Sequence, residues 1–171
     1  MKKGFTLVEL LAVVLVIGIL MGIGMPQYRK VIDKARVAEA ESMMRTIYDS
    51  SERLAGEFGY PSFTALQANR NDIFISRLDM FDPLPAKCTT EGNTQSSEIL
   101  KCSRFWYKTN VYVSGNGQYY VVAKMIKGRN AGTYILFNRS SNTLACQPAE
   151  GHTSDFCEVL GLDVISAGLT F

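Results

Sequence analysis

The sequence contains little histidine and tryptophan, and their scarcity narrows the classes of function it can serve. Its 171 residues include one histidine, His152, and one tryptophan, Trp106. No G-x-S-x-G, phosphate-loop or C-x-x-C-H pattern occurs, and no histidine lies near a plausible nucleophile. Zinc is not expected either, because no C-x2-C spacing occurs and His152 stands alone in a polar segment. We therefore predict no catalytic residue, no metal site and no cofactor.

An excess of one sign of charge is also missing. The chain has 18 Lys and Arg residues against 16 Asp and Glu residues, and the difference equals the two lysines Lys2 and Lys3. A nucleic-acid-binding domain would be strongly basic, so no nucleic-acid partner is expected. A nearly balanced net charge suits instead a subunit that packs against copies of itself.

A long apolar run occupies the N-terminus. Residues 5–25 contain one charged side chain, Glu9. At ~1.5 Å per residue this run is ~31 Å long, and the hydrocarbon core of a bilayer is ~30 Å thick. A secretory signal peptide has a shorter apolar stretch and an Ala-x-Ala cleavage site, which is absent here. A carboxylate within a membrane-length helix costs ~2.5–3.5 kcal/mol or more, so Glu9 is predicted to have a task.

The residues around Glu9 form a motif. GFTLVEL, residues 4–10, resembles the N-terminus of the type IV pilin and pseudopilin family. Gly18 in VIGIL and Pro26 in GMPQY stand at further matching positions, and residues 35–40 are similar to the helix that follows in bacterial pilins. Towards the C-terminus the resemblance is one of architecture alone.

The resemblance implies how the chain is processed and assembled. A membrane-bound prepilin peptidase would cut between Gly4 and Phe5 and methylate the new N-terminus at Phe5. Glu9, the fifth residue of the mature chain, would meet the positive N-terminus of a neighbouring copy. The implied partners are the chain itself in a helical homopolymer, the peptidase, an inner-membrane assembly platform and the inner membrane before assembly.

Two related functions remain open. A pseudopilin of a type II secretion system shares the N-terminal motif, but major pseudopilins tend to have a calcium-bound C-terminal loop. Asp79 and Asp82 are too few ligands for calcium and are interpreted as loop-capping residues. A minor pilin acting as an adhesin or DNA receptor is the other alternative, and the charge balance counts against DNA.

The flanking charges and the cysteines predict opposite orientations. Lys2 and Lys3 precede the span, but a larger number of basic residues follow it: Arg29, Lys30, Lys34 and Arg36. The positive-inside rule would keep the C-terminal part in the cytoplasm. Paired cysteines persist in oxidising compartments, which favours a C-terminal part outside the cytoplasm. The resemblance to the pilin family implies the same orientation. We expect a single-pass protein of the bacterial inner membrane with a cytoplasmic N-terminus, which later enters an extracellular fibre.

The predicted fold class is α+β, with a long N-terminal helix packed on a four-stranded antiparallel sheet. The predicted parts are a leader (1–4), an apolar half-helix (5–28), an amphipathic half-helix (29–56), and a globular domain (57–171) with a loop (57–103), a sheet (104–147) and a C-terminal segment (148–171). The amphipathic half shows apolar residues near helical spacing: Tyr28, Val31, Ile32, Ala35, Ala38, Met44, Ile47, Tyr48 and Leu54. Gly56, Gly59 and Pro61 end this helix, and Gly18, Gly22, Gly24 and Pro26 are predicted to make its apolar half flexible.

Alternation of aromatic and β-branched residues predicts the four strands. They lie at residues 104–113, 118–127, 133–138 and 143–146, and Ser-Gly-Asn-Gly at 114–117 is a tight-hairpin signal. Ser62 is a candidate cap for a short helix at 62–68. Asn138 begins an N-x-S glycosylation pattern that we interpret as a chance match.

Four cysteines allow three pairings. The most local pairing joins Cys88 to Cys102 and Cys146 to Cys157. The family resemblance supports Cys146–Cys157, because many pilins fasten a C-terminal loop to the sheet by such a bridge.

Overall fold

The chain divides into two compact units, Met1–Arg36 and Val37–Phe171. The computed structural model describes residues 6–70, 75–81, 88–94, 97–113, 118–138, 140–166 and 168–169, with Asn110 in its backbone alone. Several sequence predictions lie outside these residues: the Gly4–Phe5 cleavage site, Asp82 and the hairpin turn at 114–117.

The first unit consists of the N-terminal part of helix α1, Leu7–Glu57. Among the described residues, α1 is the helix that is long and apolar enough to cross a membrane. Its large apolar side chains in this unit are exposed, from 46% at Ile17 to 78% at Leu7, except that of Ile32, which is partly buried. Such a surface is stable only in lipid or against other apolar helices.

The predicted flexible stretch is helical in the structure. Pro26 lies inside α1, and a Cβ added at Gly18, Gly22 or Gly24 would meet no atom within 4 Å. These glycines are therefore not required for close packing within this chain. Their flexibility stays a prediction.

In the second unit, α1 presents one buried face. Buried residues recur every three or four positions, at Val37, Ala40, Met44, Ile47, Ser50, Ser51 and Ala55. The predicted amphipathic half is thus present, but its face differs by a small rotation: Ala35 and Ala38 are exposed, and Val37 and Ala40 are buried instead. Alanine is small enough to occupy either side of a helix, so its spacing alone did not fix the face.

Glycine ends α1 as predicted. Gly59 has φ +74°, a left-handed conformation that favours glycine. Its N–H donates to the Gly56 carbonyl at 3.0 Å, and the Tyr60 N–H donates to the Ala55 carbonyl at 2.9 Å. These two bonds satisfy carbonyls of the last helical turn.

Among the described residues, the sheet has seven strands rather than four. They are β1 Thr89–Glu91, β2 Ile99–Lys101, β3 Phe105–Val113, β4 Gln118–Met125, β5 Tyr134–Asn138, β6 Thr143–Gln147 and β7 Asp163–Val164. Their order in the sheet follows the chain; β1 to β6 pair antiparallel, and β7 pairs parallel with β6. The four predicted strands are β3 to β6. The additional strands are two or three residues long, too short for a period of two to be recognised.

The predicted loop at 57–103 also contains short helical elements. Helix α2, Phe63–Asn69, begins at Ser62, whose Oγ accepts a hydrogen bond from the Ala65 N–H at 3.2 Å, which confirms the predicted cap. Two 3-10 turns follow, at Ile75–Arg77 and Asp79–Phe81. Glu98 is buried, and its carboxylate accepts bonds from the N–H groups of Ile75 and Ser76. This buried carboxylate is satisfied by backbone donors, which orders the segment.

The two faces of the sheet have different covers. The first face packs against α1 of this unit and includes Phe105, Val121, Ile135 and Phe137. On the second face, a smaller cluster is packed against Ile165 and Leu169 of the C-terminal segment: Val113, Tyr120, Val122, Leu136 and Ala145. A bulge between Lys108 and Val111 changes which residues of β3 face each side.

Both disulfides join segments that are close in sequence. Cys88 pairs with Cys102, and Cys146 pairs with Cys157. The second bridge ties β6 to helix α3, Asp155–Leu160, which ends at Gly161 with φ +73°. The pairing with the shortest separations is therefore the one in the structure, and it closes the C-terminal segment onto the sheet.

A matched pair of substitutions tests the buried face of α1. Ala40 is fully buried and Ala38 is exposed, although they lie two residues apart. We expect Ala40→Glu to lower the free energy of unfolding by about 3 kcal/mol or more, because a carboxylate would enter an apolar core. Ala38→Glu should change it by less than about 0.5 kcal/mol. Urea unfolding of the full chain in detergent, followed by Trp106 fluorescence, measures both. Equal effects of the two substitutions would show that the buried face of α1 has been assigned incorrectly.

Candidate functional site

The first turn of α1 holds Glu9 in a fixed position. The Glu9 Oε2 atom accepts a hydrogen bond from the Thr6 N–H at 2.8 Å and from the Thr6 hydroxyl at 2.9 Å. The Glu9 N–H in turn donates to the Thr6 Oγ1 at 3.3 Å. Reciprocal bonds of this kind between a threonine and a glutamate three residues later form a capping box, which satisfies free N–H groups at a helix start.

Thr6 was missed as a site residue by the sequence analysis. The signal was nevertheless readable, since Thr-x-x-Glu before an apolar run is a sequence signature of a helix N-terminus. Glu9 is therefore both the one charge of the apolar run and a part of the helix cap. Both bonds from Thr6 end on Oε2, so Thr6 does not occupy the Oε1 atom.

The surroundings of this carboxylate are apolar and exposed. Leu7, Val8 and Leu10 are exposed by 78%, 73% and 59%. In the sequence no other charged residue occurs between Glu9 and Arg29. At ~1.5 Å per residue these two lie ~30 Å apart along the helix, so Arg29 of the same chain cannot pair with Glu9. In an apolar environment this carboxylate needs a positive partner from the N-terminus or from another molecule.

Asp79, considered for calcium, has a structural partner. The Arg53 guanidinium donates to both carboxylate oxygens, at 3.0 Å each, and the Ser50 hydroxyl donates to Oδ1. These bonds, with that from Arg53 the strongest cause, lower the pKa of Asp79 to about 2. Asp79 therefore ties its 3-10 turn to α1.

The remaining candidates are structural or isolated. In the described parts of the chain, no group of three or more His, Cys, Asp or Glu side chains converges on a possible metal site. His152 is exposed. Asn138 is 7% exposed; its Nδ2 donates to Gln118, and its Oδ1 accepts from the Ser140 N–H at 2.8 Å. A glycan would be attached to the Nδ2 atom of this buried side chain, which donates to Gln118, and this favours the interpretation of the sequon as a chance match.

Comparison with known proteins points to the same N-terminal segment. Residues 1–25 match the family described as "Prokaryotic N-terminal methylation motif". A fimbrial protein of Moraxella nonliquefaciens is 51% identical over 39 residues, which cover 23% of this chain and 25% of that protein. The type IV major fimbrial protein FimA of Dichelobacter nodosus is 43% identical over 53 residues, which cover 29% of this chain and 34% of that protein.

The resemblance to the type IV pilins is confirmed. The chain spans about a quarter to a third of the length of the curated relatives that it matches (25% and 34%). No solved structure matches it. The long helix, the antiparallel sheet and the disulfide-closed C-terminal region are consistent with the pilin fold. Both relatives are named as fimbrial proteins, and neither name is that of an enzyme.

Replacement of Thr6 tests the cap at this pilin-like N-terminus. Thr6→Val keeps the shape of the side chain but removes the hydroxyl, and loss of such a cap costs about 0.5–2 kcal/mol of helix stability. We expect faster amide hydrogen exchange at residues 7–10 in the full chain in detergent micelles. Thr6→Ser keeps the hydroxyl and should exchange as the original chain does. Unchanged exchange in Thr6→Val would refute the capping role.

Proposed function

We propose that this chain is the structural subunit of a type IV pilus. The observation that carries the proposal is a single carboxylate, Glu9, held at the start of an exposed apolar helix within a methylation motif. A neutral glutamine can complete a capping box as well as glutamate does, so a helix that served as an anchor alone would not need this charge, which disfavours insertion.

The precursor is processed before assembly. A prepilin peptidase cleaves between Gly4 and Phe5, which removes Lys2 and Lys3, and methylates the amino group of Phe5. The new N-terminus is a cation, because an N-methylated amine remains protonated at neutral pH. Cleavage thus creates a positive group four residues before Glu9.

Assembly brings together opposite charges on neighbouring subunits. As a new subunit enters the fibre, its Phe5 amino group pairs with the Glu9 carboxylate of a neighbour. The Oε1 atom, which Thr6 does not occupy, can accept the new bond while Oε2 keeps its bonds to Thr6. An unpaired buried charge is strongly unfavourable, so the pair selects one axial register. Contacts between the apolar helices provide most of the cohesion.

Membrane insertion and export precede assembly in this scheme. The apolar part of α1 anchors the precursor in the bacterial inner membrane, with its N-terminus in the cytoplasm and the disulfide-bonded domain outside. An assembly platform in the same membrane extracts the mature subunit into the extracellular fibre. Adhesion, twitching motility or DNA uptake are then properties of the whole system. The disulfide at Cys146–Cys157 and the engagement of Asp79 by Arg53 favour a pilus over a calcium-dependent secretion pseudopilus.

The mature N-terminus is the first test of this function. We expect mass spectrometry of the chain from a membrane fraction and from sheared fibres to find methylated Phe5 as its first residue. The reason is the match of residues 1–25 to a methylation motif, together with the family resemblance, which implies cleavage after Gly4. Gly4→Leu should keep the leader and remain in the membrane. A terminus beyond Pro26, or an intact Met1 in fibres, would contradict the proposal.

Replacement of Glu9 separates a polymer subunit from an anchor. Glu9→Ala removes a charge, so the variant should insert at least as well as the original chain and still be cleaved after Gly4. We expect it to be absent from fibres, because the positive N-terminus of its neighbour would lose its partner. Immunoblots of the sheared-fibre and membrane fractions measure this difference.

Two further variants control for side-chain size and position. Glu9→Gln keeps the shape of the side chain without its charge and should behave as Glu9→Ala does. Val8→Ala changes the neighbouring exposed residue and should enter fibres normally. Normal fibres from Glu9→Ala would show the registration mechanism to be wrong.

A further inference from the structure

Lysine and aromatic side chains alternate across the second face of the sheet. Lys101 of β2 pairs with Trp106 of β3, Trp106 pairs with Lys124 of β4, and Lys124 pairs with Tyr134 of β5. The Nζ of Lys101 lies 4.4 Å from the centre of the Trp106 ring, and that of Lys124 lies 5.3 Å from the Tyr134 ring. We name these four residues the lysine–aromatic row.

The row belongs to the sheet face that does not pack on α1. Leu100 and Tyr107, the neighbours of Lys101 and Trp106, point into the main core, so the row points the other way. All four side chains are partly exposed. Lys108 lies two residues after Trp106 and shares this face. Glu91 forms an ion pair with Lys101 at one end of the row.

The other end of the row leads into a cleft of about 760 Å³. Volumes of this size are typical of ligand sites. Lys124 and Tyr134 line the cleft together with polar side chains: Gln147, Glu150, His152 and Ser166. Apolar walls come from residues of β7 and the C-terminal segment, among them Val164 and Leu169. The site thus joins two cations, two aromatic rings and several neutral or acidic hydrogen-bonding groups.

We propose that the lysine–aromatic row and its cleft bind an acidic polysaccharide whose carboxylates lie on alternate sugars. Neighbouring strands are about 4.8 Å apart. Lys101 and Lys124 lie two strands apart, and so do the two rings, so each pair is separated by about 10 Å. An ammonium group has three N–H donors, so a lysine above a ring can also bind a carboxylate. The negative face of an aromatic ring suits the C–H groups of a sugar ring.

The charges of the site favour a sugar polymer over a nucleic acid. Nucleic acids carry a phosphate on every nucleotide and are bound through many cations. Here one of the two lysines is paired with Glu91, and Glu150 lies in the cleft. An acidic group there repels any anion, and the repulsion is greater for a polymer with a phosphate on every nucleotide than for one with a carboxylate on every second sugar. Amide, carboxylate and hydroxyl groups such as Gln147, Glu150 and Ser166 can instead bind sugar hydroxyls.

The single tryptophan of the chain gives a direct measurement, because Trp106 lies within the row. The full chain in non-ionic detergent is titrated with short hyaluronan oligosaccharides while Trp106 fluorescence is recorded. We expect a saturable change that weakens with added salt, since screening reduces charge pairing. The double variant Lys101→Gln, Lys124→Gln should bind about tenfold more weakly or worse.

The controls make each outcome decisive. Lys127→Gln removes one lysine charge, half of what the double variant removes, from an exposed position outside the row, and should change the affinity by less than about twofold. Gln147→Ala tests the cleft without altering a charge and should also weaken binding. Unfolding of each variant by urea checks its fold. Because unassembled chains are used, this binding does not depend on fibre formation.

Four results would overturn the proposal. They are the absence of a saturable change with hyaluronan, equal weakening by Lys127→Gln, equal binding of neutral dextran, and tighter binding of oligothymidylate through the same lysines. The last result would assign the row to single-stranded nucleic acid.

Discussion

Packing of one helix face against the sheet is the interaction on which the globular unit depends. Met44 and Ile47 of α1 are fully buried in a cluster that includes Phe105, Val121 and Phe137 of the sheet. An antiparallel sheet with an uncovered apolar face is not stable in water, and an amphipathic helix of modest length is not stable alone. Each element therefore requires the other, and burial of apolar surface is the main source of stability.

Other contacts order the segments that this packing leaves free. The Glu98 carboxylate accepts hydrogen bonds from backbone N–H groups of the 3-10 turn at Ile75–Arg77 and so fixes this turn. Arg53 fixes the next turn by its bonds to Asp79. Cys146–Cys157 fastens α3 to β6, and Ile165 and Leu169 then cover the second face of the sheet. The C-terminal segment is thus a structural cover as well as a disulfide loop. Without it the second cluster would lie open to water.

The same helix has the opposite property in its first part. Residues between Leu7 and Met25 expose large apolar side chains, and their one charge is fixed by Thr6. An exposed apolar helix needs lipid or like helices around it, and a carboxylate in such surroundings needs a cation. In the proposed function, a bilayer surrounds the apolar helix before assembly, and a bundle of identical helices meets both needs afterwards. This is the physical basis of the proposed pilus function.

Local patterns in the sequence determined much of this protein. The apolar run with Glu9, the helix end at Gly59, the cap at Ser62 and the strands β3 to β6 each depend on neighbours in the chain, so they were predictable. The most local of the three possible cysteine pairings is the one in the structure. Tertiary structure alone decided which alanines α1 buries, since Ala38 and Ala40 are equivalent until a sheet lies against one of them. It also decided how the short strands β1, β2 and β7 pair, and which donors bind the carboxylates of Glu98 and Asp79. The contacts among Lys101, Trp106, Lys124 and Tyr134 are likewise tertiary. Those contacts join separate segments of the chain, and sequence periodicity carries no information about which segments become neighbours.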